Sequence, residues 1–255
     1  MKGLIVGDVY LPQSLKYSKA DLMNIHNFIK SGGYDIFICN LEAPFFGEEV
    51  RRYRRAILKS DAELLPYLRV ARENVLILAN NHITDYNESG VIETIRYCER
   101  MGFRCIGAGC NVAEATKPLI LNLYDKTIGL LAFSAIESGV GSIPASENSG
   151  GVSPLEQKSS LKAIKNLSAN VDEVWVFLHW GREFYGYPTP SQRDKAYQMI
   201  REGAKFVFGS HPHVLQGYEK YNSGYIFYSL GNFIFPDILL QDDETLRWDQ
   251  KSKKT

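Results

Sequence analysis

Six places in this 255-residue sequence put Asp, Glu, Asn or His at the end of a short apolar run. In chain order these polar residues are Asp8; Asn40 and Glu42; Asn80, Asn81, His82 and Asp85; His179, Arg182 and Glu183; His211 and His213; and Asn232. They include four of the five histidines. Neutral imidazoles and carboxylates are preferred ligands of divalent Mn, Fe, Zn and Ni, so the residues together predict a metal site.

Taken singly, each of these residues has an ordinary structural explanation. An aspartate that follows a strand, such as Asp8, is often a turn or capping residue. A lone histidine such as His179 is often packed or hydrogen-bonded, and "NNH" alone is compatible with an Asn-rich turn. The fifth histidine, His26, lies inside a helical pattern and is expected to be a surface or packing residue. The combination at successive strand ends is what indicates chemistry.

The stretch "GSHPHVLQG", Gly209 to Gly217, carries two histidines around one proline. Pro212 disfavours the helical region for His211 and predicts an extended backbone there. Side chains at i and i+2 of an extended segment point to the same side, so both imidazoles are expected to face one cavity. The full set is too large for one tetrahedral ion and indicates two ions bridged by a carboxylate. Such sites clamp the attacking and leaving oxygens of an in-line displacement.

The elements that must position these residues are short buried strands alternating with helices. The predicted strands are Gly3–Asp8, Asp35–Glu42, Asn74–Asn81, Thr127–Ser134, Glu173–His179, Lys205–Ser210 and Tyr225–Asn232. Helical patterns lie between them, with predicted start signals at Ser18, Asn87 and Thr189–Pro190 and glycine stops at Gly32 and Gly102. This alternation predicts an α/β fold with much parallel sheet, in which ligands bind at the carboxyl ends of the strands.

Composition limits the function classes. Lys and Arg total 29 and Asp and Glu total 29, so the absence of net charge argues against nucleic acid or an anionic membrane as a bulk partner. The N-terminal apolar run Leu4–Val6 is too short for a signal peptide or a membrane span, and we expect a cytoplasmic protein. The four cysteines form no CxxC pair and are expected to be reduced.

Six motifs in order carry a family resemblance: "GDV", "NLEAP", "LANNHITDY", "HWGREF", "GSHPHVLQG" and "YSLGNFIF". They resemble the bacterial CapA-like family, named for poly-γ-glutamate capsule synthesis, a branch of the calcineurin-like metallophosphoesterases. The resemblance runs from Gly3 to Phe235 and implies a four-layer α/β/β/α sandwich with a two-metal site. We expect one domain over residues 1–240, followed by a charged tail over 241–255.

The resemblance also implies roles. Asp8, Glu42 and His213 would hold one divalent ion, and Glu42, Asn81, His179 and His211 the other, with Glu42 as the bridge. His82 would act on the substrate as a general acid. Asp85 is expected either to orient His82 or to cap the following helix. The expected supporting or substrate-contacting residues are Asn40, Asn80, Arg182, Glu183 and Asn232.

The sequence departs from the wider superfamily in three places. Phosphoesterases of this type usually begin Asp-x-His, whereas Tyr10 stands at the third position here, so the first ion would lose a ligand. Capsule-synthesis members typically carry an N-terminal anchor or export signal, whereas this chain starts at its first strand. It also ends soon after Asn232, which is expected of either a compact cytoplasmic member or a truncated copy.

The resemblance predicts a metal-dependent hydrolase of the phosphoesterase type in capsule or surface-polymer synthesis. Its substrate would be an anionic small molecule or polymer, and its partners other capsule-synthesis proteins. Two alternatives stay open: an amide hydrolase acting on γ-linked glutamate polymer, and a non-catalytic component that binds polymer or partner. The Gly/Ser/Pro-rich stretch Ser134–Pro154 is expected to be a substrate loop or a flexible insertion, and Arg51, Arg52, Arg54 and Arg55 a solvated face or an anion-binding cluster.

Overall fold

The computed structural model describes residues 1–48, 57–135 and 142–236. The arginine cluster at 51–55, the residues 136–141 and the predicted tail lie outside these ranges. The strands are β1 (Gly3–Val9), β2 (Ile36–Leu41), β3 (Glu73–Ile77), β4 (Arg104–Ile106), β5 (Ala108–Gly109), β6 (Leu119–Leu123), β7 (Lys126–Ser134), β8 (Gly151–Val152), β9 (Glu173–His179), β10 (Ala204–Ser210), β11 (Tyr218–Tyr221), β12 (Gly224–Phe227) and β13 (Asn232–Ile234).

In the described ranges, five α-helices and two 3-10 helices connect the strands. They are α1 (Lys19–Ser31), α2 (Asn87–Arg100), α3 (Val112–Ala115), α4 (Gln157–Ser168) and α5 (Pro190–Arg201), with the 3-10 helices at Gln13–Ser18 and Ala62–Leu68. Helix α5 begins with the predicted signal, because Thr189 and Gln192 form a reciprocal capping box with proline in the first turn. Within the described ranges, no helix is long and apolar enough to cross a bilayer.

The strands form two large sheets. The first has the order β13-β1-β2-β3-β4 and the second β11-β12-β10-β9-β7-β6, with β5 and β8 paired separately. A core between the sheets packs residues such as Ile38 and Val75 of the first against Trp175 and Phe177 of the second. Separate cores cover the outer faces, with α1 and α2 on one sheet and α4 and α5 on the other. The layers are therefore α/β/β/α, as expected.

Two predicted strands differ from the structure, and the first of them, predicted as Asn74–Asn81, already ends at Ile77 as β3. The run Tyr225–Asn232 is not continuous: β12 belongs to the second sheet and β13 to the first. The chain changes sheets at residues 228–231, where Gly231 has a φ of +64°, a conformation that suits glycine. The apolar pattern is continuous across the crossing because residues 228–231 are buried or half-buried, as the residues of the strands are. The crossing brings Asn232 beside Asp8 in the first sheet.

Two start signals also differ from expectation. Asn87 is the first residue of α2 rather than its cap; the cap position is Tyr86, which makes no capping hydrogen bond. Ser18 does precede α1, but its side chain makes no capping bond either. The stretch after β7 is structured where it is described. The backbone N–H of Ala145 donates to the carbonyl of Val152, the N–H of Val152 donates to the carbonyl of Ile143, and β8 pairs with β5.

The backbone around the end of β10 is packed so closely that glycine is required at position 209. A Cβ on Gly209 would lie 1.9 Å from the carbonyl oxygen of Tyr228 and 2.6 Å from Nε1 of Trp180. Both neighbours are held, since Trp180 Nε1 donates a 3.0 Å hydrogen bond to that carbonyl. A side chain here must therefore displace backbone rather than a flexible tip.

We expect Gly209→Ala to lower the free energy of unfolding by about 1–3 kcal/mol, the usual cost of overpacking. Thermal or urea unfolding would measure it. Gly186→Ala is the matched control, because a Cβ there meets no atom within 4 Å. Equal stability of the two variants would contradict the expectation.

Candidate metal centre

Register places the polar residues side by side on both sheets. Asp8 pairs with Asn40 on β2 and with Asn232 on β13. In the second sheet, His179 pairs with Ser210, the residue before His211. The carboxyl ends of the parallel strands thus meet at one edge, as the rule for α/β sheets predicts.

Glu42 lies at the centre of this arrangement. Its carboxylate and one ring nitrogen each of His211 and His213 lie within 4.8 Å of one another. Glu42 Oε1 is 3.5 Å from Nε2 of His213 and 3.9 Å from Nε2 of His179. The side chain is fully buried, and neither oxygen receives a hydrogen bond from the described residues. A buried carboxylate left this way beside imidazoles fits a cation ligand.

Asp8 is the second buried carboxylate. Asn40 Nδ2 donates to its Oδ1 at 2.8 Å, and the backbone N–H of His211 donates to its Oδ2 at 3.2 Å. Nδ1 of His213 lies 3.4 Å from the same Oδ2. Asn40 is fixed in turn by Asn80, which donates to Asn40 Oδ1 at 3.1 Å and to the carbonyl of Leu41 at 2.8 Å. Asn40 and Asn80 therefore orient Asp8.

Hydrogen bonds fix the rings of His179 and His213. Nε2 of His179 lies 2.8 Å from the amide oxygen of Asn81, so the atoms expected to bind the same ion lie side by side. Nδ1 lies 3.1 Å from the Ser210 hydroxyl oxygen, which can accept its proton and leave Nε2 for a metal ion. Likewise, Nδ1 of His213 donates to Oδ1 of Asn232 at 2.8 Å. Sequence reasoning missed Ser210, although its place as the last residue of β10, directly before His211, was a signal.

Burial dominates the electrostatics. It raises the pKa of Asp8, against the lowering effect of His213 and of the Asn40 hydrogen bond. It raises the pKa of Glu42 well above its usual range, helped by the charges of Asp8 and Glu183. It lowers the pKa of His179 well below its usual range, with His211 and His213 acting in the same direction. A neutral His179 imidazole is in the form that binds metal, and a divalent cation would offset the cost of two ionised carboxylates.

The predicted extended backbone at the histidine pair is wrong. His211 has a φ of +94° and His213 a φ of +57°, both in the left-handed region that non-glycine residues rarely adopt. The rings nevertheless face the same centre. The chain bends at the positive φ angles on either side of Pro212, and these bends take the place of the alternation in a strand. Backbone strain of this kind costs about 1–3 kcal/mol per residue and clusters at functional sites.

His82 and Asp85 form a pair beside the carboxylates. Nδ1 of His82 lies 2.7 Å from Oδ2 of Asp85, which also accepts from the backbone N–H of Leu58 at 2.8 Å. Asp85 is fully buried, whereas the His82 side chain is 11% exposed. These contacts favour the orienting role for Asp85. The part played by the Leu58 N–H has no sequence signal, because Leu58 is 27 residues away.

The remaining predicted residues lie at the edge of the site. Asn232 touches His213, as described above. Glu183 is exposed yet close enough for its charge to raise the pKa of Glu42. Arg182 is exposed and lies over the ring of Tyr185, 4.6 Å from its centroid. Tyr10 packs on Phe235 at 5.5 Å between centroids. The assignment of ligands to two ions stays a prediction.

Two sheets in an α/β/β/α sandwich, with carboxylates and imidazoles at their shared edge, define an α/β protein with a candidate metal centre between its sheets. A solved structure described as "Putative 5'-Nucleotidase from Staphylococcus aureus" has a similar fold, with a TM-score of 0.53 and 14% identity over 90% of this chain and 48% of that one. Residues 4–237 match the bacterial capsule synthesis protein PGA_cap family. The chain belongs to that family.

Two curated relatives agree with this assignment. The chain is 35% identical to the capsule biosynthesis protein CapA of Bacillus anthracis over 205 residues, which are 77% of this chain and 49% of that protein. It is 35% identical to the PGA biosynthesis protein CapA of Bacillus subtilis over 179 residues, 70% of this chain and 47% of that protein. The chain therefore spans about half the length of the curated relatives it matches.

Proposed function

We propose that this protein is a hydrolase that uses two divalent metal ions to cleave a phosphoester in capsule or surface-polymer synthesis. The observation that carries the proposal is the convergence of buried Asp8 and Glu42 with three imidazoles, contributed by both sheets. Bound divalent ions would lower the pKa of water and neutralise charge developing on a phosphoryl group. Asp8, Glu42, Asn81, His179, His211 and His213 would hold them.

The chain's own residues supply the other parts of the mechanism. Asp85 accepts from Nδ1 of His82, which leaves Nε2 as the ring nitrogen that moves a proton. A histidine so oriented is suited to protonate the leaving oxygen as a general acid. Asn40, Asn80 and His179 are buried around the two carboxylates and keep bulk water away from them. The low dielectric there strengthens the attraction between the carboxylates and a cation.

The second candidate function is hydrolysis of an amide, because the Bacillus subtilis relative is named for PGA biosynthesis. The same centre would then polarise an amide carbonyl of a γ-linked glutamate polymer. The purified protein is loaded with Mn²⁺ and assayed on an aryl phosphate and on γ-glutamate polymer, with Glu42→Ala as the inactive control. Hydrolysis of the phosphate ester supports the proposal, and cleavage of the polymer alone supports the amide hydrolase. Two bound ions with neither activity would indicate a binding component.

Substitution of either histidine of the "HPH" segment is expected to weaken the binding of a different metal ion. His213 lies 3.4 Å from Asp8, in the centre with fewer ligands, so His213→Ala should empty that centre and leave about one ion per chain. The ring of His211 lies 4.7 Å from that of His179, so His211→Ala should weaken the other centre. Elemental analysis after dialysis measures the ions retained. Complete loss of both ions in both variants would contradict the assignment.

A further inference from the structure

Exposed apolar side chains gather at the mouth of the metal centre. We use the term rim for three of them, Phe184, Tyr185 and Leu215, together with Arg182, which lies over the ring of Tyr185. Phe184 is 61% exposed, Tyr185 51% and Leu215 76%. Such residues contribute little to folding, and a cluster of them beside a polar site is typical of ligand binding.

The rim is fixed to the site on both of its loops. The backbone N–H of Phe184 donates to the carbonyl of Pro212 at 2.8 Å, directly between the two histidines. Nε2 of Gln216 donates to the carbonyl of Tyr185 at 2.7 Å. The Phe184 ring lies 6.0 Å from the ring of His213, measured between centroids. The rim therefore extends the wall of the metal centre outward to solvent.

Phe184 is held at a backbone cost. Its φ is +59°, in the left-handed region that a bulky side chain rarely adopts. The residue in this strained conformation carries an exposed ring rather than a buried one. Strain of this kind clusters at functional sites, and Phe184 lies next to a candidate site.

We propose that the rim is a stacking subsite for a flat ring carried by the leaving group of the substrate, with Phe184 as its main residue. The proposal rests on the proposed function and gives it a substrate class: an ester in which an anionic phosphoryl group is joined to a ring. A ring stacks on the exposed face of Phe184 while the phosphoryl group lies at the carboxylates and imidazoles. Arg182, over the ring of Tyr185, adds a cation that favours an anionic ligand.

Binding of two non-hydrolysable phosphonates tests this subsite without any turnover. Benzylphosphonate carries a flat ring one atom from phosphorus, methylphosphonate carries none, and cyclohexylmethylphosphonate matches the first in size but is not flat. Titration calorimetry on the Mn²⁺-loaded protein gives their affinities. Stacking of one ring corresponds to a preference of roughly 5- to 150-fold for benzylphosphonate over methylphosphonate.

Four proteins complete the design. Phe184→Ala and Phe184→Leu should lose the preference, since neither offers a flat face, and Phe184→Tyr should keep it. Phe28→Ala is the matched control, because Phe28 is 79% exposed on α1 in the outer helix layer and should leave all affinities unchanged. Thermal unfolding confirms that each variant is folded.

The outcomes separate the subsite from the proposed function. Equal binding of all phosphonates by the wild type, no binding of any of them, or a preference that survives in Phe184→Ala would overturn the subsite. A preference lost in Phe184→Ala supports it, whether or not the protein hydrolyses an aryl phosphate. Hydrolysis without the ring preference would leave the phosphoesterase proposal intact and remove only the subsite.

Discussion

Glu42→Gln should make the metal-free protein more stable and the metal-loaded protein less so. In the metal-free state the buried carboxylate has no hydrogen bond from the described residues, and burial opposes its charge. An amide of the same shape removes that charge, so the free energy of unfolding should rise by about 1–3 kcal/mol. For a chain of this size the Tm should rise by a few degrees.

Metal reverses the order of the two proteins. At a Mn²⁺ concentration 100 times the Kd, each site stabilises the wild type by about 2.7 kcal/mol, so two filled sites exceed the roughly 1–3 kcal/mol that the variant gains without metal. Glu42→Gln should gain almost none of this, because the residue expected to bridge the ions is lost. Glu93→Gln, an exposed position on α2, should behave as the wild type in both states. A Glu42→Gln protein that is less stable without metal, or that gains the full shift with Mn²⁺, would show that Glu42 is a structural residue.

The second large effect concerns His82 and depends on the leaving group. A general acid contributes about 10²- to 10⁴-fold, but only where the leaving oxygen needs a proton. His82→Ala should therefore lower kcat/KM by that factor on phenyl phosphate, and by much less on p-nitrophenyl phosphate, whose leaving group departs as a stable anion. The metal content should stay unchanged, since His82 is not among the expected ligands.

Asp85→Asn should give a smaller loss of about 10- to 100-fold with the same dependence on leaving group, because it disturbs only the orientation of His82. His26→Ala is the control, as that ring bonds the carbonyl of Tyr67 on the outer helix layer. An equal loss on both esters, or loss of bound metal, would mean that His82 shapes the site and does not donate the proton.

The sequence predicted most of the buried strands because their apolar runs are continuous and bounded by polar residues. Glu173–His179 matches β9 in full, and β1, β2, β7 and β10 differ from expectation by a residue at one or both ends. Strands β4, β6 and β11 were missed, since they are short or alternate with exposed polar residues. The boundary between β12 and β13 was missed because hydrophobicity does not report which sheet a residue joins.

The candidate site was predictable in its membership and not in its local conformation. The rule that ligands lie at strand ends was sufficient to bring Asp8, Glu42, His179 and His213 together. The positive φ angles of the histidine pair were not, because they occur together with hydrogen bonds to Asp8 and from Phe184, which are distant in the sequence. Of the rim, only Arg182 was predicted, since exposed apolar residues in a loop carry no periodic signal.

The crossing from β12 to β13 has a consequence for how the protein is made. Asp8, Glu42 and Asn81 leave the ribosome well before His179, His211 and His213, and β13 follows last of the described strands to pair with β1. The expected ligands of the two sheets therefore come together only after both halves of the site have been synthesised. Because β13 pairs with β1, the edge of the first sheet beside Asp8 closes after the histidine-bearing strands β9 and β10 have been made.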